Sequence, residues 1–227
     1  MKLGIILQAR LGSKRLPRKV LRKVNGTPII EIMIKRLMKA KNNKNIIVAI
    51  PNNDENIDLE NFLKSINKPI SVFKGSENDV LDRFYQAAKF HKLDKIVRLT
   101  CDCPLIDASI LDNVISKFHH ENCDYLSNVL NGAYPDGMDI EVFSFRVLQK
   151  AFYDAKSIDE REHVTKYIYK SNKFKCRNFS EEIINIKRKI SVDEKKDFEL
   201  VEKVFNHFHP NIYFNFQDLL EYFTSEN

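Results

Sequence analysis

The sequence predicts an α/β fold of three layers, α/β/α, with a mostly parallel sheet between helices. Over the first 130 positions, short apolar runs alternate with segments of helical period, the pattern of βαβ units with helices on both faces of a sheet. The run Asn45–Ile50 is apolar almost throughout, as in a parallel strand buried on both sides. At 227 residues the chain has the length of one domain able to bury a substantial core without disulfides. Residues 1–227 are therefore read as a single domain, with 130–227 its less regular part.

Each element follows from its own residues. Leu3–Leu7 is a short buried strand. Pro28–Ala40 is a helix, because Ile29, Ile30, Met33, Ile34, Leu37 and Met38 recur at helical spacing. Asn45–Ile50 is a strand ended by Pro51, and Asp54–Leu63 a helix with Asp54 as its expected N-cap. Ile70–Phe73 is a strand, Asp79–His91 a helix with Val80, Leu81, Phe84, Ala87 and Ala88 on one side, and Lys95–Thr100 a strand. Ser109–Phe118 is a helix and Cys123–Ser127 a strand. In the second half, Met138–Phe143 and Ile190–Val192 are expected strands. Arg146–Tyr153, Glu160–Lys170, Lys195–Asn206 and Phe216–Phe223 are expected helices. In such sheets ligands bind outside the carboxyl ends of the strands. The segments that follow Leu3–Leu7 and Lys95–Thr100 therefore fall on the ligand-binding edge.

Composition narrows the function. Hydrophobic residues make up 43% of the chain and charged residues 30%, as in an ordinary soluble globular protein. No apolar run approaches the ~20 residues that span a bilayer. The start Met1-Lys2-Leu3-Gly4-Ile5 leads into a strand and not into a signal peptide, so the expectation is a cytoplasmic protein without a membrane partner. Cys101, Cys103, Cys123 and Cys176 lack the spacing of a structural zinc site and are expected as reduced thiols.

The net charge is +6, from 37 basic and 31 acidic residues, and the excess is local. QARLGSKRLPRKVL, Gln8–Leu21, holds Arg10, Lys14, Arg15, Arg18 and Lys19; Arg22 and Lys23 follow, and the first acidic residue is Glu31. Phosphate loops need approachable backbone N–H groups and cations. Gly12 offers a permissive backbone, Ser13 a hydroxyl and an N–H, and Pro17 stiffness. Arg10, Lys14, Arg15 and Lys19 are candidate phosphate partners. The pattern is neither a Walker A loop nor a dinucleotide fingerprint, and a solvated basic turn is the alternative. Asp102, in RLTCDCPLID, follows a strand at the ligand edge and suits Mg2+, which takes one or two carboxylates plus phosphates. Asp193, in KISVDEKKDFELV, is either a helix cap or a second carboxylate for the same ion.

Several segments fall into a known order. Ala9–Leu21 has the pattern A-R-x-G-S-x-R-L-P-x-K-x-L, Gly26–Ile30 the pattern G-x-P-[LI]-[LI], and Gly75–Phe84 the pattern G-x-x-x-D-V-L-x-R-[FY]. Arg98–Pro104 has the pattern R-[LV]-T-G-D-x-P with Cys101 in place of Gly, and Tyr134–Phe143 and Arg161–Thr165 form two later blocks. Together, from Met1 to Val201, they resemble cytidylyltransferases of the CMP-sugar synthetase type, close to the SpsF-like branch of spore-coat polysaccharide biosynthesis. The resemblance implies a nucleotide-diphospho-sugar transferase (glycosyltransferase A-like) fold. It implies that CTP lies over the first strand, that an oxygen of an acidic or surface-polysaccharide sugar attacks the α-phosphorus, and that pyrophosphate leaves.

It also implies roles. Ala9, Arg10, Gly12, Ser13, Lys19, Asp79 and Arg83 would bind nucleotide, and Arg15, Lys19 and Asp102 would be catalytic. Asp102 and Asp193 would hold Mg2+. Asp136, Asp139, Glu141, Arg161, Glu162 and His163 would bind the acceptor. Asp79 and Arg83 also stand at the spacing of a helical ion pair. Cys101 is expected to crowd the nucleotide phosphates or ribose. The carboxylate of a nine-carbon keto-acid sugar would need a cation, with Arg161 and Lys166 as candidates and Arg161 favoured by its two-pronged geometry. Phe214, Phe216, Leu219, Leu220 and Phe223 suggest a homodimer face, with packing of the tail on its own core as the alternative. The rival readings are another nucleoside triphosphate, a phosphorylated sugar or polyol acceptor, and a non-catalytic sugar-binding relative. A nucleic-acid-binding protein using the basic loop is a further rival, against which no aromatic residue interleaves with the loop cations and no nucleic-acid module is recognised.

Overall fold

The structure is a computed structural model that describes residues 1–42, 45–180 and 188–225. Its elements run β1 (Leu3–Gln8), β2 (Lys23–Val24), β3 (Thr27–Pro28), α1 (Ile29–Leu37), β4 (Ile46–Pro51), α2 (Ile57–Ser65), β5 (Ile70–Gly75), α3 (Val80–Phe90), β6 (Lys95–Thr100), α4 (Ala108–His120), β7 (Tyr125–Ser127), β8 (Glu141–Ser144), α5 (Phe145–Asp154), α6 (Ile158–Glu162), α7 (Lys166–Lys170), β9 (Cys176–Asn178), α8 (Lys195–Phe208) and α9 (Phe216–Ser225). One sheet has the order β5, β4, β1, β6, β8, β7, β9. The first four are parallel to one another, β8 is antiparallel to both β6 and β7, and β9 is parallel to β7.

Strand alternation sorts the core into two layers. Ile5, Leu7, Ile46, Val48, Val97 and Leu99 face α1, α2, α4, α8 and α9. Ile6, Ile47, Ala49 and Ile96 face α3, α5 and α7. Because successive side chains point to opposite faces, a strand covered on both sides must be apolar at every position, as the sequence of β4 is. Among the described residues no helix is long and apolar enough to cross a membrane. All four cysteines are free.

Three expected elements differ. Ile190–Val192 joins no sheet: the Ile190 N–H donates to the Asp136 carbonyl at 2.8 Å and the Val192 N–H to the Asp102 carbonyl at 2.7 Å. Glu160–Lys170 is not one helix, because Val164 adopts φ 51° between α6 and α7. Asp54 is no cap; it lies inside a 3-10 turn, Asp54–Asn56, and makes no capping bond. The tail rings are also spent: Phe214, Phe216, Leu219 and Phe223 are buried in the chain's own core and Leu220 packs against it. This is the alternative in which the tail packs on its own core.

Candidate active site

A cavity of about 610 Å³ opens at the carboxyl ends of β1, β5 and β6, lined by Gln8, Ala9, Arg10, Gly12, Ser13, Lys14, Arg15, Lys19, Val20, Glu77, Asn78, Thr100, Asp102, Glu162 and Asp193. Leu11 and Leu16 of the basic loop are buried in the core, while Arg10, Lys14, Arg15 and Lys19 line the cavity. The Leu11 N–H donates to Asn56 Oδ1 at 2.9 Å, and the Ser13 and Arg18 N–H groups donate to the Leu11 carbonyl at 2.7 and 3.1 Å. Gly12 does not use a left-handed backbone; a Cβ there would stand 2.7 Å from Glu55 Oε2. Arg18 takes the left-handed turn instead, φ 57°, and leads into the 3-10 turn Lys19–Leu21.

Lys19 joins the two aspartates that lie 91 positions apart in sequence. Its Nζ donates to Asp102 Oδ2 at 2.7 Å, to Asp193 Oδ1 at 2.9 Å and to the Val192 carbonyl at 2.8 Å. Burial works to depress the lysine's pKa, but the two carboxylates outweigh it and raise it. Burial likewise works to raise Asp193, yet Lys189 and Lys19 hold its carboxyl at about 2. Arg15 approaches Asp193 at 3.5 Å and Glu194 at 3.7 Å. Among the described residues no three metal-ligating side chains cluster. Two converging carboxylates are hard oxygen donors without a closed cage, the set that suits Mg2+ when phosphates supply further ligands.

The block Tyr134–Phe143 positions Asp193. Ser191 Oγ donates to Asp136 Oδ1 at 2.8 Å. Gly137, φ +110°, lets residues 190 and 191 pass so close that a Cβ would stand 2.6 Å from the Ile190 carbonyl carbon. Asp139 accepts the Gly137 N–H at 2.8 Å, and burial pushes its carboxyl up to about 6. Glu141 is 5% exposed. It pairs with Arg98 and accepts from Tyr125 Oη at 2.6 Å and from the Thr165 hydroxyl. None of these three carboxylates lines the cavity.

Other expected residues stand behind the wall. Asp79 caps α3 by accepting the Asp82 N–H at 2.8 Å and takes Arg161 Nε at 2.6 Å. Arg161 also donates to the Phe152 and Ala155 carbonyls. Arg83 is buried and donates to the Ser76 carbonyl; burial, then the nearby Arg10, lowers it to about 10. The expected Asp79–Arg83 ion pair is thus replaced by Asp79–Arg161. Glu77 and Asn78, just before Asp79 in the chain, reach the cavity instead. Glu162 lines it, while His163 is exposed beside Asp159 at 3.6 Å. Lys166 pairs with Asp159. Cys101 is 1% exposed and belongs to the apolar core. It is not among the residues that line the cavity, and burial pushes its thiol far up.

Gln8, Val20, Glu77, Asn78 and Thr100 line the cavity without having been singled out in the sequence. Gln8 and Thr100 end strands and Glu77 and Asn78 follow one, so strand-end position was the signal that marked four of them.

The chain matches the family model for cytidylyltransferases over residues 4–221. It is 41% identical over 214 residues to an uncharacterised protein of Methanocaldococcus jannaschii, covering 92% of this chain and 85% of that protein. It is 31% identical over 208 residues to the spore coat polysaccharide biosynthesis protein SpsF of Bacillus subtilis, covering 88% of this chain and 85% of that protein. The solved structure of a cytidylyltransferase from Leptospira borgpetersenii has a TM-score of 0.93 to it at 34% identity, covering 100% of this chain and 95% of that chain.

Proposed function

The chain belongs to the cytidylyltransferase family, and from that premise we propose that it transfers a cytidylyl group from CTP to a surface-polysaccharide sugar, releasing pyrophosphate. The observation that carries the reading is one cavity holding both the basic loop and the Asp102–Lys19–Asp193 cluster. Attack on an α-phosphorus calls for charge neutralisation and in-line placement more than for covalent help. Arg10, Lys14 and Arg15 supply cations to the triphosphate, and Ser13 a hydroxyl and an N–H. Lys19 supplies a further positive charge beside them. Asp102 and Asp193 would hold Mg2+, which would neutralise phosphate charge when bound.

The acceptor's acid group is the finer question. Arg161 and Lys166 pair with Asp79 and Asp159 and neither lines the cavity, so a keto-acid sugar would need to share a cation of the cavity wall with the triphosphate. The SpsF relative supports a polysaccharide sugar. Pyrophosphate release decides it, with each of CTP, GTP, UTP and ATP offered alongside keto-acid sugars, sugar 1-phosphates and polyol phosphates. The expected result is release from CTP with a keto-acid sugar. Release only with a phosphorylated acceptor would overturn the acceptor, and release only from another triphosphate would overturn the donor.

A further inference from the structure

We propose that Lys19 is a built-in occupant of the metal position: without nucleotide its ammonium sits between Asp102 and Asp193, and a divalent cation enters only with the triphosphate that draws the lysine off. This rests on the reading that these two aspartates hold the metal.

Three distances carry it. Nζ reaches Asp102, Asp193 and the Val192 carbonyl at 2.7, 2.9 and 2.8 Å. An ammonium has three donors, and all three are used. The side chain is only 12% exposed, so the charge is held inside the cluster and not merely beside it. A second cation at the same point would meet a like charge at short range. The lysine must therefore leave when a metal binds.

The structure also supplies the means of leaving. Val20, the next residue, is buried and anchors the turn, while four flexible methylenes carry the Lys19 charge. The same cavity wall presents Arg10, Lys14 and Arg15, so a triphosphate held there lies within reach of the displaced ammonium. Lys189 provides the contrast. It binds Asp193 Oδ2 and approaches Asp197 at 3.7 Å, and it bonds Asp193 from outside without touching Asp102. It can stay in place when a metal arrives. Lys19 thus couples metal affinity to nucleotide binding.

The test is Mn2+ binding, followed by water-proton relaxation, to wild type, Lys19→Met and Lys189→Met without nucleotide and with CTP. The expected result is weak binding to nucleotide-free wild type and at least about tenfold tighter binding to Lys19→Met. Lys189→Met should change by less than about threefold, and CTP should restore tight binding in wild type. Lys19→Gln, which keeps a donor for the carboxylates but not the charge, should also bind more tightly and covers the case in which Lys19→Met folds poorly. Equal affinity of nucleotide-free wild type and the Lys19 variants would overturn the proposal, as would an equal gain in Lys189→Met. Mn2+ bound by none of them, even with CTP, would overturn the metal assignment beneath it.

Discussion

Asp139 lies in the part of the chain expected to meet the acceptor, and its carboxyl is raised from 3.8 to about 6, chiefly by burial. The folded state therefore keeps this proton to higher pH than the unfolded chain does. Stability linked to the protonated form is complete below the unfolded pKa and is lost as pH rises through about 6. Asp139→Asn keeps an oxygen for the Gly137 N–H but cannot ionise. Its melting temperature should gain on wild type between pH 4 and pH 7, about these two pKa values. A constant difference across that range would show that Asp139 titrates normally. Arg15 poses the complementary case, an exposed cation beside Asp193. Arg15→Ala should weaken CTP binding about tenfold, and the loss should shrink as salt screens the contact. Calorimetric titration at two ionic strengths reads both. At this scale the sequence was informative wherever charge density spoke for itself, as in the basic loop. It misled where a carboxylate's partner comes from afar: nothing near Glu141 in the chain announces Arg98, Tyr125 and Thr165.

Two contacts between elements are open to test. Gly137 combines φ +110° with backbone of residues 190 and 191 against it, so a side chain there strains the turn and pushes away the segment that carries Asp193. Gly137→Ala should cut turnover more than tenfold, by about the cost of misplacing a catalytic group, with a lowered melting temperature. Unchanged kinetics would mean that Asp193 is placed by other contacts. Arg36, on α1, is 3% exposed and donates to the carbonyls of Leu105, Ile106 and Ile212. It ties α1 to the loop after β6 and to the C-terminal segment. Arg36→Met keeps the stem but strands three carbonyls, a loss of about 3 kcal/mol and on the order of 10 °C in melting temperature. Denaturation by heat, followed by circular dichroism, reads it. The helices and parallel strands were legible because their apolar period is local. The break at Val164 and the non-strand at Ile190–Val192 were not, since the Glu141 cluster and the Asp136 backbone impose them from elsewhere.

At the scale of the whole molecule, one sheet links the regular first half to the irregular second. β8 pairs with β6, and the segment that carries Asp193 docks on the loop after β6. The layered α/β class was legible in the alternation of the first half. The convergence of Asp102 and Asp193 was open only to resemblance, because their spacing in sequence says nothing of how residues 190–193 fold back. The C-terminal rings illustrate the same limit: the sequence marks them as apolar, but only packing shows Phe214 against Phe205 and Phe208 of α8. The central claim is that these two aspartates and the basic loop make one nucleotide site. Turnover of CTP in Mg2+, with an acceptor that supports pyrophosphate release by wild type, tests it most directly in Asp102→Asn and Asp193→Asn. Each variant should melt within a few degrees of wild type and lose about a hundredfold or more in turnover. Full turnover by either variant, with Mg2+ still required, would contradict the account.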